Sequence, residues 1–209
     1  MGKSIIKTTA PLLIICIVVS ALLALTEGVT RDSINAQVEL AIAEAQKQVL
    51  PEAAAFAERT LKTAEGDMTY YVGTDAGGAV CGYVFSVAAK GYGGDVSLMC
   101  GITREGAVSG IAVTGSSETP GVGKKAEAPE FLAQFYKEAP ENGFEAVKGG
   151  GAGAGSIDAI TGATVTSKAV TAAVNKAVTA FFLVRSLDSQ FIPQGGDEAA
   201  SGQLREGGK

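Results

Sequence analysis

The chain has 209 residues, 17 basic and 22 acidic side chains, a formal charge of −5, three Cys and no His or Trp. Lack of His excludes Ser-His-Asp and Cys-His catalysis and His-ligated zinc or haem, and three cysteines cannot complete a four-cysteine metal site. The acidic balance disfavours a nucleic-acid partner, which needs clustered Lys and Arg, so carboxylate, lysine or tyrosine chemistry, or an organic cofactor, remains.

Residues 1–7 carry Lys3 and Lys7, and no charge follows from Thr8 to Thr26. As a helix rising ~1.5 Å per residue, that stretch is about 28 Å long, enough for one crossing of a bilayer core of about 30 Å. The exit Leu25-Thr26-Glu27-Gly28 is a poor cleavage site. Residues 8–26 therefore read as an uncleaved transmembrane anchor in the lipid bilayer rather than a removed signal peptide. The basic residues before the span place the N-terminus in the cytoplasm and the bulk of the chain outside it. Beyond residue 26 the chain keeps every acid and all but two basic residues, a balance of about −7.

Residues 27–64 read as a helical connecting region. Val38, Ile42, Ala45 and Val49 recur at spacings of three and four, Asp32 or Ser33 suits the N-cap, and Glu52 after Pro51 suits the first turn of a second short helix. From residue 65 to 190 the texture is that of a folded domain. Residues 69–72, 79–88, 95–103 and 108–113 are rich in Val, Ile and Tyr, are punctuated by Gly, and predict an antiparallel meander. Residues 127–137 predict a helix with Phe131, Leu132 and Phe135 inward, and the Gly/Ala run 149–155 a flexible loop. A long helix is expected over 165–186, with Val170, Val174, Ala177, Val178 and Phe181 on one face and Lys168, Thr171, Asn175 and Thr179 on the other. The tail 191–209 is polar, glycine-rich and expected to be disordered. The fold class is α+β: an antiparallel sheet with helices packed on one side, preceded by one transmembrane helix.

A hairpin turning near Tyr92 and Gly93 would set Phe85 opposite Cys100 and Cys81 opposite Arg104. The two sulfurs would then lie about 13 Å apart along the strand at ~3.3 Å per residue. A disulfide needs Cα atoms within about 7 Å, so two separate buried thiols are expected.

The segment that carries chemistry is Ser156-Ile-Asp-Ala-Ile-Thr-Gly-Ala-Thr-Val-Thr-Ser-Lys168. Read from the residues alone, it is a helix start rich in hydroxyls. It is either an ordinary cap or an anion site, because a helix N-terminus presents unpaired N–H groups and the positive end of a dipole. The loop before Gly123-Lys124 fails as a nucleotide-binding P-loop, since Glu118 stands where glycine is needed and Lys125 where Ser or Thr is needed.

Asp158-x-x-Thr161-Gly162-Ala163-Thr164 resembles the D-x-x-[ST]-G-A-[ST] flavinylation motif of FMN-binding domains with covalently attached FMN. Gly91-Tyr92-Gly93-Gly94 and Glu118-Thr119-Pro120-Gly121-Val122-Gly123 resemble two further segments of that family. Their order, with a single N-terminal span, is similar to the G-subunit family of Rnf ion-translocating electron-transfer complexes. Many members carry a His just before the second segment, where Ser116 and Ser117 stand here.

The resemblance implies a covalent FMN, joined by a phosphoester to Thr164 by a flavin transferase using FAD and Mg²⁺. It implies that Gly162 and Ala163 give the transferase close access. Asp158 would order the turn or present its carboxylate to the transferase's metal, and Thr161 would bond the phosphate or cap the helix. Lys168 would pair with the phosphate or be a solvated lysine. Tyr92 would cover the flavin ring or be a plain turn residue, while Glu118 and Thr119 would bond the ring's polar edge. No catalytic acid–base set and no metal site are expected. The partners implied are the other subunits of an Rnf-type ferredoxin:NAD⁺ oxidoreductase coupled to Na⁺ or H⁺ movement. The chain would be an electron-transfer subunit rather than a complete enzyme. A stand-alone extracytoplasmic flavin carrier, or the C subunit of the sodium-translocating NADH:quinone reductase, would use the same motifs.

Overall fold

The computed structural model describes residues 2–63, 66–140, 142–149, 151 and 153–191. It divides into two compact units, Met1–Ala45 and Gln46–Lys209.

The described residues of the first unit belong to helix α1 (Gly2–Val49), whose last residues fall in the second. Its Leu13–Val49 stretch is long and apolar enough to cross a membrane, and Ile14, Ile17, Leu22 and Leu25 along it are exposed. The expected 8–26 span and the helical region after it are one uninterrupted helix. The one glycine between them, Gly28, costs only about 1 kcal/mol among good helix formers.

The helical reading of residues 27–64 is correct only as far as Val49. Leu50 precedes Pro51, and a residue before proline is pushed out of the α region. The chain then turns into strand β1 (Ala55–Thr63) where a second short helix was expected. Ala, Glu, Arg, Leu and Lys in β1 favour helix intrinsically, but nine residue pairs from Ala55↔Thr74 to Thr63↔Gly66 join it to β2 (Gly66–Thr74). It is an edge strand with only Leu61 buried, so it shows no apolar alternation to read.

The meander continues through β3 (Val80–Lys90), β4 (Asp95–Thr103) and β5 (Val108–Ser116), all antiparallel, in the order β1-β2-β3-β4-β5. Phe85 faces Cys100 in the register, and Arg104 N–H donates to the Cys81 carbonyl, as the hairpin predicts. Both cysteines are free; Cys100 is buried, whereas Cys81 is only half-buried. Burial pushes the Cys100 thiol up to about 12.

One sheet face, carrying Phe85, Leu98, Cys100, Ile102 and Ile111, packs against helix α3 (Thr164–Phe191). Val170, Val174, Ala177, Val178 and Phe181 supply the helix side of that core. Thr171 and Asn175 are not on a solvated face as expected: Thr171 is buried, and the Asn175 amide clamps the backbone of Phe144 through bonds of 2.8 and 2.9 Å. The opposite sheet face is covered too, by the end of α1. A Cβ at Gly101 or Gly110 would meet the backbone of Val49, and one at Gly73 or Gly82 would meet Leu50. Four strands thus carry glycine where the helix end lies closest.

Residues 127–137 form no single helix. A 3-10 turn (Gly123–Glu127), the short helix α2 (Pro129–Leu132) and a second 3-10 turn (Ala133–Phe135) take their place. Pro129 opens α2 and cannot continue the turn before it. The chain then leaves helical geometry because Lys137 and Ala139 bond the backbone at the start of β5 and before it. Phe131, Leu132 and Phe135 are buried as expected. Two short parallel strands, β6 (Glu145–Val147) and β7 (Ser156–Asp158), lead to α3. Between them the described residues of 149–155 form neither helix nor strand. The tail reading for 191–209 lies outside the described residues beyond Phe191.

Candidate functional site

The hydroxyl-rich segment folds as a strand, a turn and a helix start. Asp158 ends β7, Gly162 has φ +83°, and Thr164 is the first residue of α3. Glycine suits position 162 because an L side chain there would be strained. The turn closes through Ala163 N–H to the Ile160 carbonyl at 2.9 Å. The fully buried Ser167 hydroxyl accepts from Ile160 N–H and donates to the Ala163 carbonyl, each at 3.0 Å. Ahead of the turn, the Gln134 amide accepts from Asp158 N–H at 2.6 Å and donates to its carbonyl at 3.4 Å. The first N–H groups of α3 precede any intrahelical acceptor, so this end is suited to an anion.

The two glycine-rich segments meet through Glu118. This side chain is only 4% exposed, and its Oε1 accepts from Tyr92 N–H at 2.7 Å and Gly93 N–H at 3.2 Å. A Cβ at Gly91 would collide with Oε1, and one at Gly123 with Oε2, so both glycines make room for the carboxylate. Ser116 Oγ accepts from Glu118 N–H at 3.3 Å. The Thr119 carbonyl accepts from the N–H groups of Val122 and Lys124 and folds the loop back. Glu118 therefore holds backbone, and its bonded oxygen faces the Tyr92 turn rather than an open edge. The Tyr92 ring, by contrast, is 79% exposed on this pinned backbone.

A cleft of about 490 Å³ joins these parts. Tyr92 lines it from the β3–β4 turn, and Glu118, Thr119, Val122 and Gly123 from the following loop. Gly162, Ala163, Thr164, Val165 and Thr166 line it from the start of α3. Small-molecule sites span roughly 300–1,000 Å³ and combine apolar walls with few polar groups, and this cleft has that character. Asp158, Thr161 and Lys168 are exposed and outside its lining. Lys148 takes part instead. It follows β6, whose Val147 pairs with Asp158 and accepts from Ala159 N–H at 2.7 Å. A lone lysine before a glycine run carries no sequence signal of this placement. A hydroxyl at a helix start, one cation and an exposed aromatic ring around a cleft fit a flavin mononucleotide: phosphate to the helix end, ring to the aromatic side.

The family model for the FMN-binding domain matches residues 91–179. The G subunit of the ion-translocating oxidoreductase complex of Methanosarcina acetivorans is 36% identical over 182 residues, covering 85% of this chain and 94% of that protein. The chain belongs to this G-subunit family. A second member, the G subunit of the Na⁺-translocating ferredoxin:NAD⁺ oxidoreductase complex of Acetobacterium woodii, is 34% identical over 190 residues, covering 84% of this chain and 91% of that protein. The crystal structure of NqrC from Shewanella oneidensis aligns over 62% of this chain and 65% of that chain, with a TM-score of 0.47 and 21% identity. In this member of the G-subunit family, the FMN-binding match takes in all three segments around the cleft, from the Tyr92 turn to the start of α3.

Proposed function

We propose that this chain is a membrane-anchored electron carrier with FMN held covalently on Thr164. It relays electrons within an Rnf-type ferredoxin:NAD⁺ oxidoreductase coupled to Na⁺ or H⁺ translocation. The observation that carries this reading is the convergence of three segments, separated in sequence, on one cleft that contains Thr164.

Attachment is a phosphoryl transfer from FAD, catalysed by a flavin transferase with Mg²⁺. The Thr164 oxygen bonds to the flavin-side phosphorus, the pyrophosphate P–O bond breaks, AMP leaves, and the hydroxyl proton passes to solvent or to the transferase. The resulting diester keeps one negative charge. The start of α3 stabilises that charge, and Lys148 across the cleft offsets it further. Lys148 thus takes the role that the motif suggests for Lys168, which is outside the cleft. Gly162, exposed and with open space at its Cβ position, and Ala163 leave the hydroxyl accessible. Tyr92 offers a ring face for stacking on the flavin. Thr119 bonds its polar edge, and Glu118 acts through the Tyr92 turn. Asp158, exposed at the end of β7, offers a carboxylate to the transferase's metal, and Thr161 borders the phosphate. Bound FMN supplies one- and two-electron redox chemistry; the residues named here hold and orient it.

Residues 8–26 of α1 cross the bilayer, with residues 1–7 cytoplasmic and the FMN domain outside. Protease added to sealed right-side-out cells or vesicles should then cleave the domain and spare the N-terminus. Digestion only after lysis would reverse the orientation. The attachment is tested by coexpression with a flavin transferase and denaturing electrophoresis. The wild-type band should fluoresce as a flavoprotein, its intact mass should rise by one FMN less one water, and Thr164→Ala should do neither. A Thr164→Ala band that keeps its covalent fluorescence removes the assignment.

A further inference from the structure

Two side chains beyond the Asp158–Thr164 stretch, Ser167 and Gln134, hold the segment around Thr164 in shape. The Ser167 hydroxyl bridges Ile160 N–H and the Ala163 carbonyl, which stapled together close the turn from which Thr164 emerges. It is fully buried, so water does not replace either partner. Four residues C-terminal to Ala163, Ser167 sits one helical turn along, which is where a serine hydroxyl can reach back to a carbonyl. On the strand side, the Gln134 amide pairs with both backbone groups of Asp158, as a neighbouring strand would. Lys137 adds a bond of 3.4 Å to the Ser156 carbonyl from the same region. The six residues from Ala159 to Thr164 are thereby fixed at both ends. The turn between them is left exposed at Thr161 and Gly162, with Thr164 half-buried.

We propose that Ser167 and Gln134 are positioning residues for flavin attachment. They hold the 158–164 segment in one conformation, in which the transferase meets a preformed acceptor. This rests on the reading that Thr164 is the modified residue. The reaction they serve is the transfer already described: a Thr164 O–P bond replaces the pyrophosphate P–O bond of FAD, AMP leaves and the hydroxyl proton is released. Neither side chain takes or gives that proton. An acceptor ordered in advance spares the transferase the loss of backbone freedom that fixing a flexible segment on binding would cost.

The test uses the full-length chain in detergent, purified without flavin, with purified transferase, FAD and Mg²⁺. Covalent flavin is followed over time by intact mass and in-gel fluorescence, and thermal stability is recorded for each variant. Ser167→Ala and Gln134→Ala should each slow labelling by about fivefold or more, the factor expected from even one of the two hydrogen bonds that each variant loses. Gln134→Glu keeps the acceptor for Asp158 N–H and should recover most of the rate. Thr171→Val is the control, because it removes another buried hydroxyl bond of α3, to the Ser167 carbonyl, away from the turn. It should lower the melting temperature and leave labelling unchanged.

Labelling of Ser167→Ala and Gln134→Ala at the wild-type rate overturns the proposal, as does equal slowing in Thr171→Val. If Ser167→Ala does not fold, the Gln134 pair decides alone, since Gln134 is only half-buried. Wild-type chain that never acquires covalent flavin, or acquires it with Thr164→Ala, refutes the site assignment itself, an outcome distinct from the other two.

Discussion

Glu118 gives the sharpest test of the cleft, because its carboxylate holds the backbone of the Tyr92 turn. Its Oε1 holds the N–H groups of Tyr92 and Gly93, in a turn whose Tyr92 side chain is almost fully exposed. Hydrogen bonds to a charged acceptor contribute about 1.5–3 kcal/mol each, so the pair contributes roughly 3–6 kcal/mol to keeping the turn closed. Glu118→Ala removes the acceptor that both bonds share. Taking the lower figure, amide hydrogen exchange at Tyr92 and Gly93 should accelerate by about a hundredfold, at about 1.4 kcal/mol per tenfold. Glu118→Gln keeps a carbonyl oxygen in the same place. Its neutral bonds contribute about 0.5–1.5 kcal/mol each, so at the lower figures about 2 kcal/mol is lost and exchange should rise by roughly thirtyfold. The measurement is residue-resolved hydrogen exchange on the two variants and wild type, with β2 amides as the internal reference. Wild-type exchange at both residues in Glu118→Ala refutes the latch. So does equal loss of protection throughout β2, which would mean that the whole unit has been weakened.

Two further outcomes follow from the core. Cys100 is fully buried with its thiol raised from 9.0 to about 12, so it stays protonated in the native state while an unfolded thiol ionises. The unfolded state then binds fewer protons above pH 9, and this group's contribution to stability falls as pH rises, by about 1.4 kcal/mol per unit towards pH 12. Denaturant midpoints between pH 9 and 10.5 should decline more steeply in wild type than in Cys100→Ala; equal slopes would show that the thiol is not shielded. At the other sheet face, Gly101→Ala would drive a methyl into the Val49 backbone and to 2.7 Å from Ser109 Oγ. The neighbours are mostly backbone and cannot rotate away, so a loss of roughly 1–3 kcal/mol is expected. The melting temperature reads this directly, and no change would mean that the end of α1 does not pack there.

The strongest local patterns in the sequence determined the elements that depend on local chemistry. The apolar N-terminal stretch, the strands β2 to β5 with their Val, Ile and Tyr, and the apolar face of α3 all follow from residue type and period. The hairpin register placing Phe85 opposite Cys100 followed from the Tyr92 turn, because strand residues pair at fixed distances from it. The FMN-binding segments were legible because each is a short run of consecutive residues. Tertiary structure decided the rest. β1 reads as helix by propensity and becomes a strand because β2 offers it a full edge of hydrogen-bonding groups. The 127–137 region is broken by Pro129 and by backbone bonds to the start of β5, a partner about thirty residues away in sequence. In the cleft, Lys148 enters through the pairing of β6 with β7, while Lys168 leaves because the α3 helix turns it outward. That Glu118 also latches the Tyr92 turn was decided by packing, because its carboxylate lies over glycines 91 and 123, whose missing side chains leave it room. Motif residues name a chemistry from their type and spacing. Which of them face one another depends on contacts between segments far apart in the chain, and those contacts exist only once the sheet and helix have packed.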